Sequence, residues 1–279
     1  MDTTPALRIG AVNYLNSKPL IHRFDSLAEE LATAHPELAG VRLLCDLPSR
    51  LADSLAAERL DLALAPAFEA LAEPSWRIVS DACVAADGPV SSVKVYFRKP
   101  PAEVESLALD EGSRTSAALC RLLLRQRHAA EPRRERLPIG ASLTDTRADA
   151  VLLIGDRAMH APDPAVRGDF VAEWDLAEEW RRDTGLPFVF AVWTSRHEEV
   201  APAVVRLLEA CRDGGVVCFD SIAAAEGPPL GLTVEHAERY LRRNLRFTLG
   251  PRERRGLELF ERACREAGLL SDPATTHDA

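Results

Sequence analysis

The sequence predicts an α/β protein with mostly parallel strands, on three observations. Apolar runs of strand length alternate with longer amphipathic stretches. The first runs are each followed by a helix signal, the rhythm of a parallel sheet with right-handed crossovers. Turn and breaker residues sit between them, at Asn13 to Ser17, Pro48, Pro66 and Gly112-Ser113.

Leu7 to Val12 reads as a buried strand, followed by a polar turn and by Pro19 in a first helical turn. Val41 to Leu47 is a second strand, after which Ser49 opens a helix carrying Leu51, Leu55 and Leu60. Asp61 to Pro66 is a third strand, with a short helix through Phe68 and Leu71. Arg77 to Val84, Val93 to Phe97 and Leu107 to Asp110 are strands, and a long helix runs from Ala117 to about Gln126. Ala148 to Ile154 is a buried strand, Leu176 to Arg182 a helix with Trp180, and Phe188 to Thr194 the most apolar strand. Helices are expected over Val200 to Cys211, ended by Gly214-Gly215, over Thr233 to Asn244 and over Arg252 to Ala267. From Ser271 the tail is small and polar, and is expected to be loose.

With 47% apolar and 28% charged residues the composition is that of a globular protein. A net charge of −9 disfavours nucleic acid and anionic membrane surfaces as partners. No apolar run reaches membrane-span length, and the first residues have no secretory pattern. Six scattered cysteines without a Cys-x-x-Cys pair suggest reduced, buried thiols in a cytoplasmic protein. The seven histidines show no metal-ligand spacing, and phosphate-loop, dinucleotide and nucleophile-elbow motifs are lacking. Neither a metal nor a cofactor is expected.

Four stretches carry candidate chemistry. Asn13, Asn16 and Ser17 end the first strand with hydrogen-bond donors, where open α/β sheets bind ligands, and Lys18 adds a charge. Ser113, Arg114, Thr115 and Ser116 open a helix whose first-turn amides attract an anion, unless they serve only as its cap. Gly88 and Pro89 make a tight turn before Ser91 and Ser92, of which only one side chain can point inward. Gly155 and Asp156 follow a buried strand, and Asp156 is either an acid–base group or the cap of the next helix. Phe188, Phe190 and Trp193 are expected to be mostly core, with one ring available to line a cleft.

The block Val-Asn-Tyr-Leu-Asn-Ser-Lys-Pro-Leu at residues 12–20 resembles the amino-terminal signature of the chorismate dehydratases, enzymes of the futalosine route to menaquinone. Asp87 to Ser92, Gly112 to Ser116, Leu152 to Asp156 and Thr184 to Trp193 are similar to later blocks of that family, in the same order. No block departs visibly from the pattern. The resemblance implies a two-lobed type II periplasmic-binding-protein-like fold with a ligand in the inter-lobe cleft. Residues 1–93 with 193–279 would form one lobe and 94–192 the other, joined by crossing strands near residues 94 and 192. It implies a hydro-lyase eliminating water from chorismate to 3-[(1-carboxyvinyl)oxy]benzoate. Asn16 and Ser92 would act on the reacting ring; Asn13, Ser91, Ser113, Arg114, Thr115, Ser116, Gly155 and Asp156 would bind substrate. The base is open between the substrate's own carboxylate, water and a side chain, and the state is monomer or homodimer. Two other readings are a non-catalytic small-anion binding or sensing protein on the same fold, and the sibling dihydroxynaphthoate synthase, whose amino-terminal block differs.

Overall fold

The computed structural model describes residues 7–271. The chain divides into two units, Met1–Ala85 with Phe190–Gly250 and Ala86–Val189 with Pro251–Ala279. The first unit begins with β1 (Arg8–Val12), a 3-10 helix (Leu15–Ile21) and α1 (Phe24–Ala32). It continues through β2 (Arg42–Asp46), α2 (Pro48–Ala56), β3 (Leu62–Pro66), α3 (Ala67–Ala72) and β4 (Arg77–Ala86). The second unit holds β5 (Val93–Phe97), β6 (Ser106–Asp110), α4 (Arg114–His128), β7 (Arg133–Leu137) and β8 (Ala150–Ile154). After these come α5 (Pro164–Arg167), β9 (Ala172–Asp175) and α6 (Leu176–Thr184). β10 (Phe188–Ser195) leads back to the first unit, followed by α7 (Pro202–Val216), α8 (Phe219–Glu226) and α9 (Val234–Arg239). A π-helical turn (Tyr240–Asn244) and β11 (Arg246–Thr248) precede α10 (Pro251–Glu266), which belongs to the second unit.

The six-stranded sheet of the first unit has the order β11-β4-β10-β3-β1-β2. β1 is internal and parallel to both β2 and β3, which is why Ile9 and Ala11 are fully buried. Arg8 forks onto Asp61 at 2.9 and 3.0 Å, tying the start of β1 to the approach of β3. β10 runs antiparallel to β3. The second sheet has the order β7-β6-β8-β5-β9. β6 is parallel to β7 and β8, and β5 antiparallel to β8 and β9. Each sheet is therefore mixed, with its parallel core strands where the apolar runs are.

The apolar runs led to their strands, but β7, β9 and β11 are additions to the sequence-based expectation. All three are sheet edges. β7 is Arg-Arg-Glu-Arg-Leu with only Leu137 buried, a charged edge of the kind that blocks further strand pairing. Edge strands bury one flank, so the apolar pattern is weak there.

Other expectations shift. Pro19 lies inside the 3-10 helix, not in the first turn of an α-helix. α4 starts at Arg114, three residues before the expected Ala117, because Ser113 caps it through its side chain. Gly214 and Gly215 lie within α7 and do not end it. The expected helix from Thr233 to Asn244 is α9 capped by Thr233, then the π-helical turn. The unit boundaries fall at 85/86 and 189/190, and α10 joins the second unit, not the first. The reason is an aromatic cluster: Phe260 of α10 meets Phe188 at 5.0 Å and Trp180 at 6.0 Å, both edge-on. The six cysteines are free, but Cys45 is exposed. No helix of the described residues is long and apolar enough to cross a membrane. The tail beyond Ser271 and residues 1–6 lie outside the described residues.

Candidate functional site at the strand ends

In the second unit the strand pairing gathers most of the candidate residues at one end of the sheet. β6 and β8 are parallel and end at Asp110 and Ile154. β5, antiparallel to β8, starts there, with Val93 opposite Ile154. β9 ends at Asp175, one register position away opposite Lys94. Ser91 and Ser92 directly precede β5, Ser113 to Ser116 follow β6, and Gly155 and Asp156 follow β8. These blocks are distant in sequence and become neighbours through sheet order alone.

Two buried carboxylates hold them in place. Asp110 is 2% exposed. It accepts from the Gly112 amide at 3.0 Å, the Ile154 amide at 3.2 Å and the Arg157 guanidinium at 2.5 Å. Asp175 accepts from the amides of Val90 at 3.0 Å and Ser91 at 2.6 Å, and caps α6 through those of Ala177 and Glu178. The Gly155 amide donates to the Ser92 carbonyl at 2.8 Å. Burial pushes both carboxyl groups up from the ordinary range; Arg157 pulls Asp110 back, as the Val90 and Ser91 amides do Asp175. Ser91 has φ +65°, a left-handed backbone rare outside glycine, and its amide is held by Asp175. Gly155 has φ +70°, which glycine adopts without strain as the chain turns off β8.

Neither Asp110, Asp175 nor Arg157 was among the sequence-derived candidates. Asp175 carried a readable signal: Asp-Leu-Ala-Glu has the spacing of a helix N-terminus with a carboxylate three residues on. In an Asp175→Asn protein one oxygen becomes an NH2 group facing amide donors, leaving at least one amide unsatisfied. A stability loss of about 1–3 kcal/mol is expected in chemical denaturation. An unchanged midpoint would mean that the turn at residues 90 and 91 does not depend on this carboxylate.

Ser113 accepts from the Ser116 amide at 3.2 Å. The cap reading and the anion-site reading coexist here, since the serine caps α4 and places the helix start at the strand ends. Thr115 and Ser116 are buried and Arg114 is half-buried. Ser92 is 1% exposed, whereas Ser91 is half-buried. Asp156 lies within a short 3-10 helix and does not cap it; Asp163 caps α5.

In the first unit β1 ends at Val12 and the chain turns at once into the 3-10 helix. Ser17, fully buried, donates to the Val12 carbonyl and to the Tyr14 carbonyl at 2.9 Å. It locks the turn from inside. Asn13 is exposed, and its side-chain oxygen accepts from Lys18 at 3.0 Å. Lys18 also pairs with Glu226 at 3.1 Å, so its charge is balanced. Asn16 is half-buried, and its amide has no hydrogen-bond partner among the described residues. α7 packs closely on Pro19 at Gly215. Phe188 and Trp193 are core, and Phe190 is half-buried. No group of three or more potential metal ligands occurs among the described residues.

A sequence model described as menaquinone biosynthesis matches residues 7–266. A chorismate dehydratase of Thermus thermophilus is 33% identical over 270 residues, 91% of this chain and 94% of that protein. Among solved structures, one from Archaeoglobus fulgidus superposes with a TM-score of 0.70 at 16% identity, covering 95% of this chain and 98% of that one. The periplasmic aliphatic sulphonate binding protein SsuA of Escherichia coli has a TM-score of 0.60 at 13% identity, covering 96% and 89%. These last two likenesses concern the fold, which is that of the periplasmic binding proteins.

Proposed function

Since the chain belongs to the chorismate dehydratase family of menaquinone biosynthesis, we propose that it eliminates water from chorismate, giving 3-[(1-carboxyvinyl)oxy]benzoate. The observation that carries this reading is the 33% identity to a chorismate dehydratase along nearly the whole length of both chains. The reaction removes a proton from the ring carbon bearing the enolpyruvyl ether and a hydroxyl from its neighbour, which leave together as water. The ring becomes aromatic, so the overall change is strongly downhill, and the protein's task is positioning and charge stabilisation.

In this reading Ser113, Arg114, Thr115 and the first-turn amides of α4 bind a substrate carboxylate, and Ser116 and Asp156 flank that site. The Ser91–Ser92 turn and Gly155, wired to Asp175 and Asp110, present Ser92 to the reacting ring. From the first unit Asn16 offers an amide with donors to spare for the departing hydroxyl, with Asn13 beside it. The proton acceptor is the substrate's enolpyruvyl carboxylate, water or a side chain. A cytoplasmic location and a monomer or homodimer complete the reading.

Incubation of the purified protein with chorismate, followed by the rise of an aromatic absorbance, tests it. Saturable chorismate binding without turnover would replace it with a small-anion binding protein. Arg114→Ala is expected to raise the Michaelis constant about 10- to 150-fold at low ionic strength, the loss of one charge-assisted hydrogen bond. Turnover at saturation should change little if the contact is equal in ground and transition states. An unchanged Michaelis constant would remove Arg114 from the binding set.

A further inference from the structure

A second concentration of positive charge lies elsewhere on α4 and has no part in the site above. A cavity of about 600 Å³ is walled by Arg121 and Arg125 of α4, by Arg133 and Arg134 of β7, by Glu131 and by the turn at residues 267–269. Such a volume suits a small ligand. Two of the four guanidinium groups are already engaged. Arg125 pairs with Glu131 at 3.4 Å and donates to the Ala267 carbonyl at 2.7 Å. Arg133 pairs with Glu135 at 2.7 Å. Arg121 and Arg134 are in no ion pair among the described residues. Burial and the charge of Arg134 pull the Arg121 pKa down, and the Glu131 carboxylate pulls it back.

Ordinary structural roles account for Arg134 but leave Arg121 unexplained. Charged residues on β7 protect a sheet edge, but Arg121 stands on a helix. Basic residues in a last helical turn complement the helix dipole, but in α4 that turn holds Arg125, Arg127 and His128, not Arg121. Arg121 and Arg134 line this cavity with one carboxylate, Glu131, which already pairs with Arg125, so an anion bound there would balance charge that the lining itself leaves over.

We propose that this cavity is a binding site for a small phosphate-bearing anion of at least two negative charges, held by the forked guanidinium groups of Arg121 and Arg134. Two adjacent arginines match a dianion in charge, and their planar donor pairs match phosphate oxygens. Arg125 and Arg133, already paired, complete the lining.

Calorimetric titration with sodium pyrophosphate, ionic strength held constant with sodium chloride, tests the site. Saturable binding is expected, weakened about tenfold or more by Arg121→Gln and by Arg134→Gln. Arg133→Gln, at an exposed residue already paired, should change it by less than about twofold. Arg114→Ala should leave it intact, which separates this site from the proposed substrate site and makes the two readings fail independently. Malonate, a dicarboxylate of two negative charges without the phosphate oxygens that match a guanidinium fork, should bind at least about tenfold more weakly. Should Arg121→Gln not fold, the exposed Arg134→Gln carries the same test. Absence of saturable binding, binding untouched by Arg134→Gln, binding lost in Arg114→Ala, or malonate binding as tightly as pyrophosphate would each overturn the proposal.

Discussion

Asn16→Ala is expected to leave the protein folded and to lower its turnover of chorismate by about 10²–10³-fold, the typical cost of deleting one preorganised donor to developing charge. The position is suited to such a role. Asn16 is the second residue of the 3-10 helix after β1, half-buried, with an amide that no described residue engages. The turn that places it is held by Ser17, whose hydroxyl bonds to Val12 and Tyr14 and is untouched by the substitution. Removing the side chain therefore deletes a donor without deleting a support. Asn13→Ala is the control: that side chain is exposed and engaged by Lys18, and its loss should affect turnover far less. Circular dichroism and steady-state kinetics on both proteins decide the matter. Near-normal turnover in a well-folded Asn16→Ala protein would take Asn16 out of the mechanism.

Gly215→Ala should be the most damaging single methyl group in the first unit. A Cβ at residue 215 would lie 2.0 Å from the Pro19 carbonyl oxygen and 2.6 Å from the Pro19 carbonyl carbon and Cα. These are backbone atoms, so no side-chain rotation relieves the clash. Inside an α-helix the exchange of glycine for alanine ordinarily gains about 1 kcal/mol. Overpacking costs about 1–3 kcal/mol and sometimes more, and a contact this far inside van der Waals range belongs at the upper end. A net loss of about 2 kcal/mol or more is expected in urea denaturation. Pro19 and Asn16 share one 3-10 helix, so relief of the clash also displaces Asn16, and turnover should fall even where the protein remains folded. An equal or raised denaturation midpoint would show that the 3-10 helix can retreat freely, and that α7 does not set the position of Asn16.

The same glycine shows where sequence reading stops. Gly214-Gly215 read as a helix stop because glycine is a poor helix former, yet α7 runs through it. The need for glycine comes from Pro19, nearly two hundred residues earlier, and nothing near residue 215 announces that neighbour. The missed strands have a parallel cause, since β7, β9 and β11 are edges, and an edge strand need not be apolar on both faces. The expected lobe boundaries moved for a related reason. The amphipathic pattern of α10 shows that it buries a face, but not that Trp180 and Phe188 are what it buries that face against.

The amino-acid sequence by itself determined the local matters: the apolar strands, the donor-rich turn after β1, the capping residues between β6 and α4, and the glycine leaving β8 at residue 155. Each depends on propensity, burial period or capping within a few residues, so the code is short-ranged and readable. Only the tertiary structure decided that Ser92, Ser113 and Gly155 share one end of one sheet, and that Asp110 and Asp175 hold them there. Strand order is a choice among packings with nearly the same local cost, made by side chains meeting across the whole chain. A buried carboxylate acquires its task only when the amides it serves have been brought to it.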